Sequence, residues 1–250
     1  MASASAFSDV RAAFLGKGSN ARWWGLAGIA QFAIPFGVDQ YQDTLYDVHN
    51  IQRPVGFADA VLSRRAEFLA GRYCAARALA EFGARTHVGV GEHRAPLWPA
   101  GMLGTISHTS CLAVALVGRR GTIDGLGVDV EDVSHDGMVE DVRQHVLVGQ
   151  DEQRVRVSGL PFAVGATLAF SAKESLFKAL YPHVGAYFGF DAARIVALDP
   201  DTQTIELALA HDLAPVRWRV GARVRASYRL LDARTVATAV VLGAEANGDC

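Results

Sequence analysis

LGTISHTSCLAVALVGRRGTIDGLGVDVE, residues 103–131, contains three short apolar runs that are separated by turn-forming residues. The runs Leu103–Ser107, Leu112–Val117 and Leu126–Glu131 are rich in aliphatic and β-branched residues, which is typical of strands. A Gly-Arg-Arg-Gly sequence at 118–121 predicts a turn between the second and third runs. Short strands joined by short turns favour antiparallel pairing, so this stretch predicts the β-sheet part of the fold.

One long helix is predicted on either side of this stretch. Asp59–Phe82 carries leucine and phenylalanine among many alanines, and Gly83 is placed to end the helix. Phe162–Tyr181 follows Pro161, and proline is favourable at the start of a helix. Alternating apolar residues predict further strands in the C-terminal part: Ile195–Leu198, Thr204–Leu209, Val216–Val220, Val224–Leu230 and Val236–Leu242.

The two halves of the chain have a similar order of elements, each with one long helix and several strands. This order predicts an α+β fold of two similar lobes with pseudo-twofold symmetry, each a long helix packed on a small antiparallel sheet. The predicted lobes are residues 1–124 and 125–250. A doubly wound sheet is disfavoured, because helices and strands do not alternate regularly and no glycine-rich nucleotide motif follows a strand.

The sequence pattern is weaker outside these elements. Residues 1–22 are small and polar and predict a loose segment, whereas Gln31–Val38 predicts a strand that turns at Pro35–Gly37. Residues 83–101 have the glycine, proline and charge content of a loop. The charged stretch 132–156 gives no assignment, although parts of it are compatible with helix.

The composition indicates a folded protein and excludes several functional classes. Half of the 250 residues are apolar and 20% are charged, whereas disorder needs low hydrophobicity with high net charge. With 24 basic and 26 acidic residues the net charge is −2, so the basic excess of a typical nucleic-acid-binding protein is missing. Cys74, Cys111 and Cys250 are too few and too far apart for a disulfide framework, which suits a reducing compartment.

No segment is predicted to direct the chain to a membrane or to secretion. The uncharged run Trp23–Val38 is interrupted by Gln31 and Pro35, lacks a clear cleavage site and is shorter than a membrane span. A longer uncharged run, Leu97–Gly118, is rich in glycine, serine, threonine and histidine. We therefore expect a cytoplasmic protein without a membrane or nucleic-acid partner.

Two carboxylates lie at alternate positions of the third strand. Side chains alternate between the faces of a strand, so Asp129 and Glu131 are predicted to project together, away from Leu126, Val128 and Val130 in the core. Neighbouring carboxylates repel unless a cation lies between them, and such oxygen ligands suit Mg²⁺, which also takes phosphate and water ligands. The alternative is an exposed strand end with two solvated acids.

The second long helix carries a charge cluster in the sequence FSAKESLFK, residues 170–178. Glu174 and Lys178 are four residues apart and share one helix face, and Lys173 adds a second cation beside the acid. Phe170 and Phe177 are predicted to pack the helix on its sheet. The alternative is an ordinary ion pair on a solvated face, which does not explain Lys173.

Ser107 and His108 lie at the end of the first quoted strand. A serine–histidine pair at this position is a candidate for an anion contact or for proton transfer. A catalytic serine triad is disfavoured because the sequence Gly-x-Ser-x-Gly does not occur. The alternative is a histidine that is hydrogen-bonded in a turn.

Arginines form the fourth candidate site. On the first long helix Arg65 and Arg72 are seven residues apart and nearly aligned, Arg64 is beside them, and Arg94 lies in the following loop. Planar guanidinium groups match phosphate oxygens in two-point geometry. Each arginine alone is compatible with an ordinary surface charge, but together they predict a cradle for a polyanion.

Taken together, these motifs resemble the 4′-phosphopantetheinyl transferases. The likeness is to the long type, which activates carrier proteins of siderophore, nonribosomal-peptide and polyketide synthesis. The matching blocks are Arg64–Arg72, W-P-x-G-x-x-G-x-x-S-H at 98–108, GVDVE at 127–131 and FSAKES-x-FK at 170–178. The last two blocks are the most specific, and the arginine block is weak. The two-lobe organisation within one chain favours a monomer.

The resemblance implies transfer of the phosphopantetheine arm of coenzyme A to a serine of an apo acyl or peptidyl carrier protein, with release of 3′,5′-ADP. It implies that Asp129, Glu131 and Glu174 hold Mg²⁺, or Mn²⁺ in its place, on the coenzyme A diphosphate. Glu174 matches the general base, acting directly or through water, and the implied catalytic set is Glu174, Lys173, Asp129 and Glu131. The implied coenzyme A contacts are Arg64, Arg72, Arg94, Ser107, His108, Lys173 and Lys178.

Three positions depart from the family pattern. Val130 lies between the two acids where relatives can carry a polar residue or a third acid, so water must complete more of the metal shell. His93–Arg94 occupies the place of a basic residue, and Thr109 follows His108 where cysteine or serine is frequent. Two other functions remain compatible with these residues: an Mg²⁺-dependent nucleotide or phosphoester hydrolase, and a non-catalytic module that binds coenzyme A or docks on carriers.

Overall fold

The computed structural model describes residues 14–20, 23–54, 56–84, 86–91, 95–133, 136–214 and 217–243. Contacts divide the chain into two compact units, Met1–Arg120 and Gly121–Cys250, a few residues before the boundary expected at 124/125. Among the described residues, no helix combines the length and the apolar character needed to cross a membrane.

The first unit is built on a three-stranded antiparallel sheet of order β1-β5-β4. Val114 in the central strand lies opposite Ala33 on one side and Ser107 on the other, which fixes the register. A separate two-stranded pair, β2-β3, lies in the stretch predicted as loop. The strands of this unit are β1 Ile29–Pro35, β2 Gly89–Val90, β3 Pro96–Leu97, β4 Met102–His108 and β5 Leu112–Arg119.

A long helix covers this sheet. Helix α2, Leu62–Ala80, is shorter at both ends than predicted and packs on all three strands, whereas α1 is a single turn, Leu45–Val48. The buried positions of α2 include many alanines, which let the helix lie close to the strands. Gly83 follows the helix with φ of 75°, a left-handed conformation that glycine adopts without strain.

Part of the segment that was predicted to be loose is ordered. Phe14 is fully buried and packs on the ring of Phe36, while Leu15 forms a β-bridge with Phe36. The prediction is therefore wrong for residues 14–20, because a large apolar residue anchors an otherwise small and polar sequence in the core. The preceding residues lie outside the described part of the chain.

The second unit is built on a five-stranded antiparallel sheet of order β6-β10-β9-β8-β7. Thr238 of β10 lies opposite Asp129 of β6 and opposite Tyr228 of β9. The strands are β6 Ile123–Asp132, β7 Ala193–Asp199, β8 Thr204–Leu209, β9 Arg223–Leu230 and β10 Thr235–Gly243. The long helices and antiparallel sheets of the two units confirm the predicted α+β class.

Three helices belong to the second unit: α3 Asp136–His145, α4 Asp151–Val157 and α5 Phe162–Val184. The first two occupy the stretch that gave no assignment from sequence. Helix α5 packs on β6 and β10. It runs past its predicted end, through Pro182, and stops at Gly185, which has φ of 67°.

The strand predicted at Val216–Val220 is wrong for the residues that the structure describes there. Residues 217–220 form a loop, in which the backbone N–H of Leu213 donates to Trp218 O at 2.7 Å. Trp218 is buried while Val220 is 64% exposed. The apolar alternation therefore reflects one buried aromatic residue in a loop and not a strand with a buried face.

Candidate active site

Helix α5 lies very close to strand β6 because the strand carries glycine at the contact positions. A Cβ atom on Gly127 would lie 1.8 Å from Ser175 O, and one on Gly125 would lie 2.5 Å from Ala179 O. Neither separation is possible for a real side chain, so no other residue fits without moving the helix. Gly125 and Gly127, two residues apart on the strand, thus face Ala179 and Ser175, one turn apart on the helix. Asp129 is the next residue on the same face of the strand.

Asp129 is joined to the helix by Lys178. The ammonium of Lys178 donates to Asp129 Oδ1 at 2.7 Å and to Val128 O at 3.0 Å. Asp129 is only 3% exposed, so the alternative of a solvated strand end does not apply to it. Lys178 therefore links the helix to the strand, in contrast to the solvated i,i+4 pair considered from the sequence.

Glu131 and Glu174 complete a cluster of three carboxyl groups. Burial, then the charge of Asp129 and a hydrogen bond with it, raises the pKa of Glu131 to about 8, while Lys178 opposes this shift. Burial also raises the pKa of Glu174, with Lys178 opposing and Asp129 adding to the shift. Neighbouring negative charge thus disfavours the ionised forms of Glu131 and Glu174, and added positive charge at this position would be stabilising.

The donor chemistry of this cluster fits Mg²⁺. Carboxylate oxygens are its preferred protein ligands, and a cation would relieve the repulsion within the cluster. Across the described residues, no group of three or more His, Cys, Asp or Glu side chains is arranged so that it could hold a metal ion. Mg²⁺ commonly uses only one or two carboxylates and completes its shell with water and substrate phosphate, so a preassembled set is not required.

Lys173 lies elsewhere than the sequence led us to expect. Its ammonium donates to Asp151 Oδ2 at 2.6 Å, Val146 O at 2.7 Å and Phe190 O at 3.0 Å. All three of its hydrogens are used inside the protein. Lys173 is 3% exposed and burial lowers its pKa, an effect that Asp151 opposes. The expectation that it faces the phosphates and belongs to the catalytic set is corrected, because its charge ties α5 to neighbouring segments.

Asp151 is the partner that sequence reasoning missed. It is fully buried, and besides Lys173 it accepts hydrogen bonds from the backbone N–H of Val148 at 3.2 Å and of Ile195 at 2.8 Å. The carboxylate therefore joins the start of α4, helix α5 and strand β7. Its position just after Gly149, at the start of a charged helical stretch, was the available signal.

Of the two phenylalanines of α5, Phe170 packs against the core of the second unit, and both contact aromatic residues near the start of β7. The Phe170 ring packs on Phe190 at 5.5 Å, and the Phe177 ring packs on Phe188 at 5.0 Å. Small residues also contact the sheet. Phe177 and Phe188, together with Glu174, line a cavity of about 140 Å³, so apolar space adjoins the helix carboxyl group.

In the first unit, a cavity of about 530 Å³ lies beside α2 and the end of β4, with Arg64, Glu67, Phe68, Arg72 and His108 in its wall. Arg72 is 6% exposed, and its guanidinium lies over the Phe68 ring at 4.8 Å. Its Nη1 is buried without a hydrogen-bond partner among the described residues. Burial, and then the charge of Arg64, lowers the pKa of Arg72 to about 10, so it remains a cation at neutral pH. A bound anion would stabilise this charge.

Arg64, His108 and Glu67 form a second charged group in the same cavity. Arg64 Nη1 lies 3.0 Å from His108 Nε2, and Glu67 Oε2 lies 3.6 Å from the former and 3.7 Å from the latter. If Arg64 donates, His108 carries its own hydrogen on Nδ1. Glu67 was not singled out from the sequence, although its spacing of three residues from Arg64 predicts a shared helix face.

Two further candidates, Arg65 and Ser107, are not brought together with this group. Arg65 pairs with Asp43 at 3.0 Å. Ser107 is buried and is not part of the wall of the 530 Å³ cavity, since neighbouring strand residues point to opposite faces. His93 and Arg94 lie outside the described residues.

A larger cavity of about 1000 Å³ lies on a different face of α2. Its wall includes His49, Tyr73, Arg77 and His87, and none of the site residues predicted from the sequence. Size alone therefore does not identify the functional site of this unit. The smaller cavity is the better candidate because it gathers the arginines and His108.

Two family models match the chain, one over the arginine cavity of the first unit and one over the carboxyl cluster of the second. The model of the 4′-phosphopantetheinyl transferase N-terminal domain matches residues 53–118. The model of the 4′-phosphopantetheinyl transferase superfamily matches residues 125–239. The first range contains α2 and the arginine cavity, and the second contains the carboxyl cluster and α5.

Individual relatives give the same result. Enterobactin synthase component D of Salmonella typhi is 40% identical over 136 residues, 54% of this chain and 56% of the relative. The protein of the same name from Escherichia coli O157:H7 is 32% identical over 183 residues, 73% and 83% of the two chains. The 4′-phosphopantetheinyl transferase Npt of Nocardia iowensis is 32% identical over 139 residues, 55% and 61%.

The chain thus spans little more than half the length of the Salmonella relative and most of the length of the Escherichia coli relative. The matched ranges contain the motifs that carried the resemblance, namely the arginine helix, GVDVE and the FSAKES helix. This chain belongs to the 4′-phosphopantetheinyl transferase superfamily, and to its long type.

Proposed function

We propose that the protein transfers the 4′-phosphopantetheine arm of coenzyme A to a serine of an apo acyl or peptidyl carrier protein and releases 3′,5′-ADP in an Mg²⁺-dependent reaction. The observation that carries this proposal is the cluster of Asp129, Glu131 and Glu174 beside Lys178. The names of the relatives, enterobactin synthase component D and 4′-phosphopantetheinyl transferase, support the same activity. We propose that the protein acts as a monomer.

Asp129, Glu131 and Glu174 are the proposed ligands of Mg²⁺, with Mn²⁺ as a substitute. The ion would neutralise diphosphate charge in the transferring group. Lys178 supplies a positive charge next to Asp129 and orients this carboxyl group on the strand through the 2.7 Å hydrogen bond. The chain itself thus contributes mainly positioning and charge neutralisation, the two requirements of phosphoryl-type transfer.

Glu174 is the proposed general base. Burial raises the pKa of Glu174 above the usual range, whereas a bound Mg²⁺ would lower its proton affinity, so Glu174 would act through a water or while it does not coordinate the ion. It takes the proton of the carrier serine hydroxyl, directly or through one water. The serine oxygen then bonds to the phosphorus of the arm, and the bond from this phosphorus to the oxygen of 3′,5′-ADP breaks.

The arginine cavity of the first unit is the proposed binding site for the nucleotide part of coenzyme A. Arg72 is buried and carries an unused N–H group within the described residues, which supports a role in binding a nucleotide phosphate. Arg64 and His108 are further proposed contacts in the same cavity. In this proposal, the N-terminal lobe binds the nucleotide and the C-terminal lobe carries out the transfer. Ser107 and Arg94 stay predicted contacts.

Intact-protein mass spectrometry tests the proposal. Apo acyl and peptidyl carrier proteins are incubated with the protein, coenzyme A and Mg²⁺, and the expected product is a carrier that has gained one phosphopantetheine. Omission of Mg²⁺ or coenzyme A should abolish the gain. Cleavage of coenzyme A without carrier modification would identify a hydrolase, and coenzyme A binding without any product would identify a binding module.

A variant of the proposed base sharpens this test. Glu174→Gln keeps the size of the side chain but not its basicity, so kcat should fall by about 10²–10⁴-fold. Coenzyme A binding, measured by calorimetry without Mg²⁺, should change less than about twofold because the cavity of the first unit is untouched. Glu140→Gln, which alters an exposed glutamate on α3, is the matched control with an unchanged rate. Full activity of Glu174→Gln would exclude Glu174 as the base.

A further inference from the structure

Three buried hydroxyl groups lie between helix α5 and strand β10. Thr238 Oγ1 lies 2.9 Å from Ser171 Oγ and 2.8 Å from Ser175 Oγ, and Ser175 Oγ also donates to Thr238 O at 3.1 Å. All three residues are 0% exposed. One strand hydroxyl thus contacts two hydroxyls that are one helical turn apart.

The position of Thr238 links this hydroxyl cluster to the carboxyl cluster. Thr238 lies directly opposite Asp129 in the pairing of β10 with β6. On the helix, Ser171 and Ser175 flank the turn that carries Glu174. Thr238 therefore connects the strand position of Asp129 with the helix turn that carries Glu174.

The close helix–strand contact alone does not fix how far α5 extends along β6. Gly125 and Gly127 set how closely the helix approaches the strand, but they contribute no directional bond, and apolar burial is itself non-directional. Hydrogen bonds depend steeply on distance and angle, so the hydroxyl cluster resists both sliding and rotation of the helix. A shift by one residue would move Glu174 by about 1.5 Å along the helix axis.

We propose that Thr238 is a positioning residue: through Ser171 and Ser175 it fixes α5 against β6 and so sets the geometry between Asp129 and Glu174. This inference rests on the proposed function of the carboxyl cluster. Displacement of a catalytic group by about 1 Å can lower a rate by about 100-fold, so the cluster has a kinetic effect beyond its contribution to stability.

Steady-state kinetics of the transfer reaction test whether Thr238 affects the catalytic rate. Thr238→Val removes the shared hydroxyl and keeps the shape, and its kcat should fall by at least about tenfold, within the range expected for displaced groups. KM for coenzyme A should stay within about twofold, since uniform binding contacts are retained. Thr238→Ser keeps the hydroxyl and should restore most of kcat.

Thr167→Val is the matched control. Thr167 is also buried on α5, and its hydroxyl donates to Ala163 O of the same helix at 2.8 Å. This variant should lose stability while keeping full kcat. If Thr238→Val and Thr167→Val have equal kcat at matched folded fractions, the hydroxyl cluster is merely structural and the proposal is overturned.

A double-mutant cycle tests the positioning role without any measurement of activity. Lys178→Met removes the link between α5 and Asp129, and unfolding free energies are measured in urea for each single and double variant. Thr238→Val and Lys178→Met should be non-additive because both act on the same helix–strand geometry. Thr167→Val with Lys178→Met should be additive, and additivity in both cycles would overturn the proposal.

Failure of the proposed function and failure of the positioning role of Thr238 give different results. If the wild-type protein modifies no carrier, the proposed function fails, and the stability cycle still decides whether Thr238 positions the helix. If the wild type is active and Thr238→Val keeps full kcat, the inference fails and the proposed function stands. Should Thr238→Val not fold, Ser171→Ala removes one bond of the cluster and gives the same comparison at smaller amplitude.

Discussion

The long helices of the two units approach their sheets closely by opposite means. On α2 the glycine belongs to the helix: a Cβ on Gly71 would meet the side-chain methyl of Ile106 at 2.8 Å. On α5 the glycine belongs to the strand, and a Cβ on Gly127 would meet the backbone carbonyl of Ser175. The Ile106 methyl is bonded directly to Cβ and moves only if that side chain rotates or shifts, but its overlap is the smaller one, and the Ser175 carbonyl cannot move without its helix. The α2 contact is therefore adjustable and the α5 contact is fixed.

The charged residues of the two helices differ in the same way. Lys173 and Lys178 of α5 donate to groups of their own unit. Arg64 and Arg72 of α2 line a cavity, and the buried Nη1 of Arg72 has no partner in the described part of the chain. The comparison indicates that the unit proposed to carry out the chemistry holds its helix rigidly, while the unit proposed to bind the nucleotide keeps cations available for a ligand.

The largest effect is expected when the buried ion pair of α5 is broken. Lys173→Met leaves the Asp151 charge buried without its partner, which should lower the free energy of unfolding by about 3–5 kcal/mol. Lys178→Met should cost less, because the side chain of Lys178 is 25% exposed and that of Lys173 only 2%. Urea unfolding of both variants measures the difference. Equal losses would show that α5 is not held by its buried pair.

A direct comparison of the two helix contacts comes next. Gly127→Ala should destabilise the protein by about 3 kcal/mol, at the upper end of ordinary overpacking, because backbone must move. Gly71→Ala should cost about 1 kcal/mol or less, since Ile106 can shift and alanine is the better helix former. Thermal and urea unfolding of the pair provide the measurement, and a larger loss for Gly71→Ala would reverse the comparison.

The last prediction concerns the arginine cavity, where the change affects binding of coenzyme A and not stability. Arg72→Ala should raise KM for coenzyme A about tenfold, about 1.4 kcal/mol of binding, with kcat nearly unchanged, because the lost contact is shared by substrate and transition state. Arg65→Ala is the control on the same helix, since Arg65 pairs with Asp43 and should leave KM unchanged. An unchanged KM for Arg72→Ala would remove this arginine from the nucleotide site.

Local sequence patterns were sufficient to predict most of the helices and strands. Apolar alternation predicted β8, whose burial alternates with a period of two, and apolar runs predicted β6 and β10, most of whose residues are buried on both faces. The alternation of side chains along a strand predicted a shared face for Asp129 and Glu131, and both carboxyl groups interact with Lys178. Apolar alternation predicted a strand wrongly around Trp218, where the pattern of burial does not repeat every second residue.

Pairing between distant segments limited what could be predicted about the site. From the sequence, the pair of Glu174 and Lys178 left Lys173 without a partner, so Lys173 was predicted to contact a ligand. Its actual partner, Asp151, lies in the stretch 132–156, which gave no assignment. The function of Thr238 is equally invisible, because a threonine in an apolar strand has no local signal of its contacts with another element. Long-range polar contacts of this kind require the three-dimensional arrangement.

The stacking of Arg72 on Phe68 restricts how a ligand can approach this arginine. The guanidinium carbon lies over the ring at 4.8 Å, and Nη1 has no partner among the described residues. A partner must therefore come in the plane of the group, as the oxygens of a tetrahedral oxyanion can, and a flat heteroaromatic ring stacked on top would leave the edge unsatisfied. Lysine, which has neither a flat surface nor a fork, would be a poor replacement at this position.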